Sequence, residues 1–249
     1  MTPVVLSLRG VRVRYGSHTA LESVDLDVRA GERVALVGPS GAGKSTLLRL
    51  PTAAVLPDVG SVEVLGQPLA GLSTSSLRAV RRRVGTIHQQ LDLVGPLRVV
   101  HNVNAGRLGG WSRRRALRSL VRPVEVAEVG QVLARVGIAG KLHERTDRLS
   151  GGEQQRVALA RVLVQDPELV LADEPVSSLD PAHAEEVLDL LTNCVGERGA
   201  ALVVSLHDFE MARRRCDRVV GIRGGRVAFD LPAPEVTVDH ARALYVLQR

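Results

Sequence analysis

The chain has 249 residues, of which 45% are hydrophobic and 24% are charged, and this apolar fraction excludes a disordered chain. It contains only two cysteines, Cys194 and Cys216, so a disulfide scaffold is excluded and a reducing compartment is expected. No uncharged apolar run approaches the roughly 18–20 residues that cross a bilayer, and the first residues lack the basic-then-apolar pattern of a secretory signal. We therefore expect a soluble, cytoplasmic protein with one large domain or two small ones.

The formal net charge is +6, with 33 basic residues against 27 acidic ones. Only two of the basic residues are lysines, Lys44 and Lys141. Arginine triplets at 81–83, 113–115 and 213–215 have no aromatic residues interleaved with them. This pattern favours solvated helix faces, with a membrane-surface or partner patch as the open alternative, and nucleic-acid binding is not expected.

The first ninety residues read mainly as short strands. Apolar and polar residues alternate over 5–15 and 24–28, which predicts half-buried strands or a hairpin. A continuous apolar run at 33–37 predicts a strand buried on both faces, and a helix over 46–50 is expected to end at Pro51. Further strands are predicted at 62–65 and 84–87.

Helix formers dominate residues 90–165, with breaks at Pro96 and Pro123, and this stretch reads as an insertion. Beyond it, short apolar strands alternate again with a helix, which predicts an α/β fold with a largely parallel core. The expected elements are strands at 169–172 and 201–205, a helix over about 181–195, and a closing hairpin over 219–229 that turns at 223–226.

A glycine-rich loop lies between the predicted strand at 33–37 and the following helix, and it fits the pattern G-x-x-x-x-G-K-[ST] in full. Small residues let backbone N–H groups surround phosphate oxygens, and the helix that begins here turns its positive end to the same anion. Lys44 can place its charge on the β- and γ-phosphates, and Ser45 can offer a hydroxyl to Mg²⁺. The loop therefore predicts ATP or another nucleoside triphosphate bound by Gly38, Pro39, Ser40, Gly41, Ala42, Gly43, Lys44, Ser45 and Thr46.

The predicted strand at 169–172 ends on two carboxylates, Asp173 and Glu174. In proteins with a phosphate loop, an Asp at such a strand end helps to hold magnesium, and a neighbouring Glu can act as the general base towards water. Successive side chains of a strand point to opposite faces, so these two carboxylates cannot do the same job unless the chain turns between them. Pro175 is consistent with that turn.

Residues 149–157 form a second glycine-rich helix start. Ser150, followed three residues later by Glu153, predicts a capping box. Capping alone does not explain Gly151 and Gly152, because glycine weakens the first turn of a helix. Glycines at this place would let a phosphate approach the exposed N–H groups, and the two interpretations are compatible.

This segment resembles the signature motif of ATP-binding-cassette ATPases, and the other motifs of that family occur in the family's order across about residues 10–210. Tyr15 matches the aromatic residue that stacks on adenine, and Gln89 matches the glutamine that contacts magnesium and senses the membrane partner. The segment 177–180, which ends at Asp180, matches the loop that crosses the dimer interface. His207 matches the histidine that contacts the γ-phosphate.

The resemblance implies a P-loop NTPase fold with a mostly parallel sheet, an antiparallel β edge and an inserted helical subdomain. We expect one nucleotide-binding domain over 1–249, with a catalytic core at 1–88 and 166–230, a helical subdomain at 89–165 and a C-terminal extension at 231–249. The catalytic residues implied are Glu174 and His207, and the magnesium ligands implied are Ser45, Gln89 and Asp173. The resemblance also implies a head-to-tail homodimer in which Ser150, Gly151 and Gly152 complete the site of the opposite subunit. Tyr15, Gln89 and Asp180 are expected among the residues that bind the nucleotide.

Within the family, four stretches are most similar to the ATPase subunit of phosphonate importers: 89–97, 102–108, 171–180 and 204–207 running on to 212–214. The tail at 217–230 fits the same pattern. This implies an integral membrane permease as partner, an extracytoplasmic solute-binding protein as an indirect one, and a peripheral location on the cytoplasmic face of the cell membrane. The alternatives are the ATPase of another transporter (for phosphate, amino acids or metals, or of the lipoprotein-release or cell-division type), a soluble ATPase outside transport, and a scaffold that binds ATP without hydrolysing it.

Overall fold

The structure, a computed structural model, describes residues 2–177 and 179–245. Its strands form two sheets. The strands are β1 (Val4–Tyr15), β2 (His18–Arg29), β3 (Arg33–Val37), β4 (Val59–Val64), β5 (Gln67–Pro68), β6 (Val84–Ile87), β7 (Leu169–Asp173), β8 (Ala201–Ser205), β9 (Arg218–Arg223) and β10 (Arg226–Pro232).

The larger sheet has six strands in the order β10-β9-β3-β8-β7-β6. Five of them are parallel, and β10 adds an antiparallel edge through the hairpin that turns at Gly224 and Gly225. Strands β3, β7 and β8 are short and almost wholly buried, as expected for strands that helices or sheets cover on both faces. The carboxyl ends of these three strands therefore meet at one edge, where the phosphate loop begins.

Apart from β10, the antiparallel strands form a sheet of their own. Strands β2, β1, β4 and β5 make a separate four-stranded sheet whose inner residues alternate with exposed ones along β1. Its apolar face packs against the large sheet through Leu6, Leu8, Leu36 and Val203, which belong to one buried cluster. The alternation at 5–15 predicted these strands, but β2 begins six residues before the predicted 24–28.

The helices over 44–49 and 74–82 add Leu47, Leu48 and Val80 to this same cluster between the sheets. The other helices cover the opposite face of the large sheet or lie in the segment between β6 and β7. A second buried cluster joins them to the sheet, and it reaches Leu244 near the end of the described chain. No helix within the described residues is long and apolar enough to cross a lipid bilayer. The helices are α1 (Lys44–Arg49), α2 (Thr74–Arg82), α3 (Val99–Asn104), α4 (Arg113–Val121), α5 (Val126–Arg135), α6 (Gly151–Gln165), α7 (Pro181–Gly196), α8 (Phe209–Arg215) and α9 (Val238–Tyr245).

The division into core, helical subdomain and C-terminal extension stays a prediction. Residues 99–165 do contain four of the helices, α3 to α6, and no strand of either sheet among the described residues. The proposed extension at 231–249 begins inside β10 and continues into α9, which packs Leu244 into the buried cluster. Its last four residues, 246–249, lie outside the described part of the chain.

Candidate functional site

The phosphate loop, residues 38–43, joins the end of β3 to the start of α1. Gly38 and Gly43 have φ of 150° and 109°, a region that favours glycine. A Cβ at Gly38 would lie 2.0 Å from the carbonyl oxygen of Ile222, and one at Gly43 would lie 2.5 Å from that of Ala20. Any side chain at these two positions would displace backbone, so the loop requires glycine where its pattern has it.

Lys44 is buried at the first turn of α1. Its Nζ donates hydrogen bonds to the carbonyl oxygens of Gly38 and Pro39, at 2.7 and 3.1 Å. Burial lowers the pKa of this ammonium, and the negative charges of Glu174 and Asp173 oppose that effect. The loop thus holds a desolvated positive charge, which interacts strongly with an anion because little water screens it.

A cavity of 250 Å³ lies over the loop. Tyr15, at the exposed end of β1, and Glu174 stand on its wall together with the loop itself, so the structure brings these predicted residues into one site. The cavity is lined by Tyr15, His18, Ala20, Ser40, Gly41, Ala42, Gly43, Lys44, Ser45, Thr46 and Glu174.

The two carboxylates at the end of β7 have different partners, which are the Ser205 hydroxyl for Asp173 and His207 for Glu174. Asp173 is the last residue of the strand, and Glu174 has φ of 48°, so the chain turns at Glu174, one residue before Pro175. His207 Nε2 lies 2.6 Å from Glu174 Oε1, which brings both predicted catalytic residues together. The turn that strand alternation called for is therefore present, and Glu174 lies on the cavity wall.

The start of α6 has the predicted capping box. The Ser150 hydroxyl accepts a hydrogen bond from the Glu153 N–H at 3.3 Å, and the Glu153 carboxylate accepts one from the Ser150 N–H at 2.9 Å. This N–H, assisted by Lys141, holds the pKa of Glu153 below its usual value. A Cβ at Gly151 or Gly152 would have no neighbour within 4 Å, so packing within the chain does not require glycine there.

Several predicted residues are absent from the cavity wall, among them Gly38, Pro39, Asp173 and His207, although His207 lies beside Glu174 on that wall. Ser150, Gly151 and Gly152 are absent from its lining, as is Asp180, which caps α7 by accepting a hydrogen bond from the His183 N–H at 3.2 Å. Gln89 is an exposed residue in the turn that follows β6. Ser178, within the predicted interface loop, is outside the described residues. One chain therefore assembles part of the predicted site.

Three contacts at the site have no clear sequence signal. The Ser205 hydroxyl lies between Asp173 and the backbone of Glu174. Arg161, on α6, donates to the carbonyl oxygens of Leu91 and Asp92 at 2.7 and 2.8 Å, and it thereby links the signature helix to the loop after Gln89.

The third contact joins α9 to the phosphate loop. Burial raises the pKa of the Tyr245 phenol, and a backbone hydrogen bond from Gly38 opposes that effect. Each of the three contacts joins segments that are distant in sequence, so only the folded chain reveals them.

The fold and the site define a P-loop nucleotide-binding protein, and comparisons with known proteins narrow the class. The family described as "ABC transporter" matches residues 21–177. Among solved structures, cbiO1 from Clostridium perfringens, part of the ABC transporter complex cbiONQ, is 26% identical with a TM-score of 0.81, over 96% of this chain and 93% of that one. A dimeric bacterial ABC transporter cassette is 30% identical with a TM-score of 0.75, over 92% of this chain and 98% of that one.

Among curated proteins, "Phosphonates import ATP-binding protein PhnC" of Anaeromyxobacter dehalogenans is 53% identical over 98% of this chain. The chain spans about half of that protein, 49% of its length. "Phosphonates import ATP-binding protein PhnC 1" of Pseudomonas syringae pv. syringae is 45% identical over 97% of this chain and 92% of its own length. The chain belongs to the ABC transporter family, as one of its ATP-binding cassettes.

Proposed function

We propose that the chain is the ATP-hydrolysing subunit of an ABC importer for phosphonates. The observation that supports phosphonate as the cargo is the similarity to the Pseudomonas syringae phosphonate import protein. That protein is 45% identical to this chain, which covers 92% of its length. Transport also implies an integral membrane permease, so we place the chain at the cytoplasmic face of the membrane, with a solute-binding protein as an indirect partner.

The site residues fit ATP with Mg²⁺. The loop of residues 38–43 and the buried Lys44 ammonium suit the β- and γ-phosphates. Asp173 accepts a hydrogen bond from Ser205 on Oδ1 only, and no other hydrogen bond from the described residues occupies its second oxygen. Ser45, Asp173 and Gln89 would hold Mg²⁺, which would neutralise the developing phosphate charge.

Hydrolysis then follows from the placement of two side chains. Glu174 accepts a proton from water while the water oxygen attacks the γ-phosphorus, and the bond from that phosphorus to the bridging oxygen breaks to release ADP. His207, 2.6 Å from Glu174, is close enough to contact the same phosphate and to orient the base. Tyr15 offers an exposed ring at the edge of the cavity for stacking on adenine.

We further propose that two copies close head to tail around two ATP molecules. The N–H groups at the start of α6 and the positive end of that helix suit an anion, and Gly151 and Gly152 leave room for its approach. These residues do not line the cavity over Lys44 in one chain, and we assign them to the site of the other subunit. Asp180, exposed at the start of α7, would lie in the same interface.

Growth on a phosphonate as the only phosphorus source tests this proposal. A strain that lacks this gene is expected to grow on phosphate and to fail on phosphonate, and the wild-type gene should restore growth while Lys44→Ala should not. Equal growth on both sources would contradict phosphonate as cargo. Phosphate release by the purified protein is the separate test of ATP hydrolysis, and its absence with the permease present would contradict the ATPase role.

A further inference from the structure

Ser205 is a fully buried serine at the end of β8, next to the carboxylates of the site. In the parallel pairing of β7 with β8, its Cα is the register partner of Asp173, so the two side chains leave the sheet on the same face. The Ser205 hydroxyl lies 2.8 Å from Asp173 Oδ1 and 2.8 Å from the backbone nitrogen of Glu174. One hydroxyl therefore touches both acidic residues.

The two hydrogen bonds run in opposite directions. A serine hydroxyl has one proton to donate and lone pairs to accept with, and here the proton goes to the Asp173 carboxylate while the oxygen accepts the Glu174 N–H. A donor that also accepts is polarised by both partners, and a hydrogen bond to a carboxylate is stronger than a neutral one. The hydroxyl thus fixes the rotation of one carboxylate and the backbone of the next residue.

The backbone bond matters because the chain leaves the sheet at Glu174. The φ of 48° at Glu174 is uncommon for a residue with a Cβ, and strand β7 ends one residue earlier, at Asp173. The N–H of Glu174 would be a buried donor without a partner if the Ser205 hydroxyl were removed. The Ser205 hydroxyl therefore stabilises the turn that directs Glu174 towards His207.

We propose that Ser205 is a positioning residue for hydrolysis, which holds the metal-binding carboxylate of Asp173 and the backbone of the base Glu174 in one fixed relative orientation. The inference rests on the proposed ATPase function. It assigns Asp173 Oδ1 to the serine and leaves the second oxygen to the metal. Loss of the hydroxyl would let Asp173 rotate and Glu174 shift, so both metal affinity and turnover would fall together.

The test compares Ser205→Ala with Ser205→Thr. Removing an outer hydrogen bond from a metal-binding carboxylate reduces affinity or activity about 10- to 100-fold, so Ser205→Ala should lower kcat and weaken Mn²⁺ binding to the protein–ATP complex in that range. Ser205→Thr keeps the hydroxyl and should recover most of both quantities. Ser205 borders a cavity of 170 Å³ together with Leu206 and Met211, and this is the open space nearest to the added methyl.

Ser119→Ala is the matched control. Ser119 is also buried and donates its hydroxyl to a backbone carbonyl, that of Ala116 at 2.6 Å, but it lies on α4. Its alanine variant should lose thermal stability without a change in kcat or in Mn²⁺ affinity. ATP binding in EDTA should stay the same in all three variants, because Ser205 does not line the cavity over the phosphate loop.

The outcomes separate this inference from the proposed function. Wild-type kcat and Mn²⁺ affinity in Ser205→Ala would overturn the positioning role even if the wild-type protein is an active ATPase. A threonine variant that folds and remains as impaired as the alanine variant would overturn it as well. If wild-type protein binds ATP and does not hydrolyse it, the proposed ATPase role fails, and the Mn²⁺ measurement still decides whether Ser205 orients Asp173.

Discussion

At the scale of single residues, Glu174 carries the sharpest expectation. Glu174→Gln keeps the shape of the side chain and the backbone N–H that Ser205 accepts, but it removes the proton acceptor. We expect turnover to fall at least about a hundredfold, since general-base catalysis contributes that much, while ATP binding stays within a few-fold of wild type. Phosphate release and fluorescent-nucleotide titration measure the two quantities.

Lys44→Ala is the comparison for this variant, because it should lose ATP binding itself. The buried ammonium is the charge that the phosphates would meet, and among the described residues no arginine lines the cavity beside it. Turnover at the wild-type rate in Glu174→Gln would show that another group accepts the proton, and the assignment of the base would then be wrong.

The motifs predict the residues of the site from their spacing, and the structure adds neighbouring side chains that the spacing does not indicate. Gly38 and Gly43 could be identified from spacing, because a backbone loop around phosphate demands glycine wherever it approaches other chain segments closely. Ser205 could not be identified in this way. A serine at a strand end is ordinary in sequence, and its role depends on the register that places it beside Asp173.

At the scale of elements, the start of α6 combines two properties that substitutions can separate. Gly151→Ala and Gly152→Ala add a methyl where the chain has open space and no positive φ, so folding stability should stay equal or rise by about 0.4–1 kcal/mol. The same methyl would stand between the helix N–H groups and a phosphate from the other subunit. We therefore expect the melting temperature to be unchanged or higher. ATPase activity should fall at least about tenfold, because the loss of one contact of about 1.4 kcal/mol in the transition state lowers the rate by that factor.

Gly130→Ala provides the control, because Gly130 is also a helical glycine with no neighbour within 4 Å of an added Cβ. It lies on α5, away from the predicted site, and should gain stability without loss of activity. Ser150→Ala should behave differently from both, since loss of the cap costs about 1 kcal/mol of stability. Full ATPase activity in both Gly151→Ala and Gly152→Ala would contradict a phosphate contact at this helix.

Element prediction from the sequence succeeded where a pattern was local. The buried strands β3, β6 and β8 begin and end where the apolar runs do, and α7 extends only one residue beyond its expected end. Pairing was harder to foresee. Alternation identifies a half-buried strand but not its neighbour, so the separate four-stranded sheet that β2 and β1 form with β4 and β5 emerged only from the structure.

At the scale of the whole molecule, ion pairs account for part of the abundance of arginine. Several of them form ion pairs between distant segments, such as Arg33 with Asp217 at 2.5 Å and Arg218 with Glu32 at 2.6 Å. The third triplet is satisfied in the same way, since Arg214 and Arg215 both pair with Glu185. These ion pairs use part of the positive charge to join segments of the fold, and the interpretation of the triplets as solvated helix faces stays a prediction.

The proposed dimer leads to a prediction about the assembly of the whole molecule. The cavity with Lys44 and Glu174 faces solvent on one side, and the start of α6 with Gly151 and Gly152 stands open elsewhere on the chain. An ATP molecule that contacts both would join two chains. A variant that lacks the general base would not hydrolyse this ATP, so the two chains would stay joined. Glu174→Gln with ATP and Mg²⁺ is therefore expected to elute as a dimer in size-exclusion chromatography with light scattering, at about twice the monomer mass.

The dimer should depend on nucleotide and on both halves of the site. Without ATP the same variant should be a monomer. By linkage, ATP shifts the monomer–dimer equilibrium only if it binds the dimer more tightly than the monomer, through contacts that the dimer alone provides. Adding Lys44→Ala should abolish the shift from monomer to dimer, because it removes the ammonium that binds the phosphates. Adding Gly152→Ala should weaken the dimer and leave ATP binding to the monomer intact. If Glu174→Gln binds ATP and stays monomeric at micromolar concentration, the phosphate is held by one chain, and the start of α6 needs another ligand.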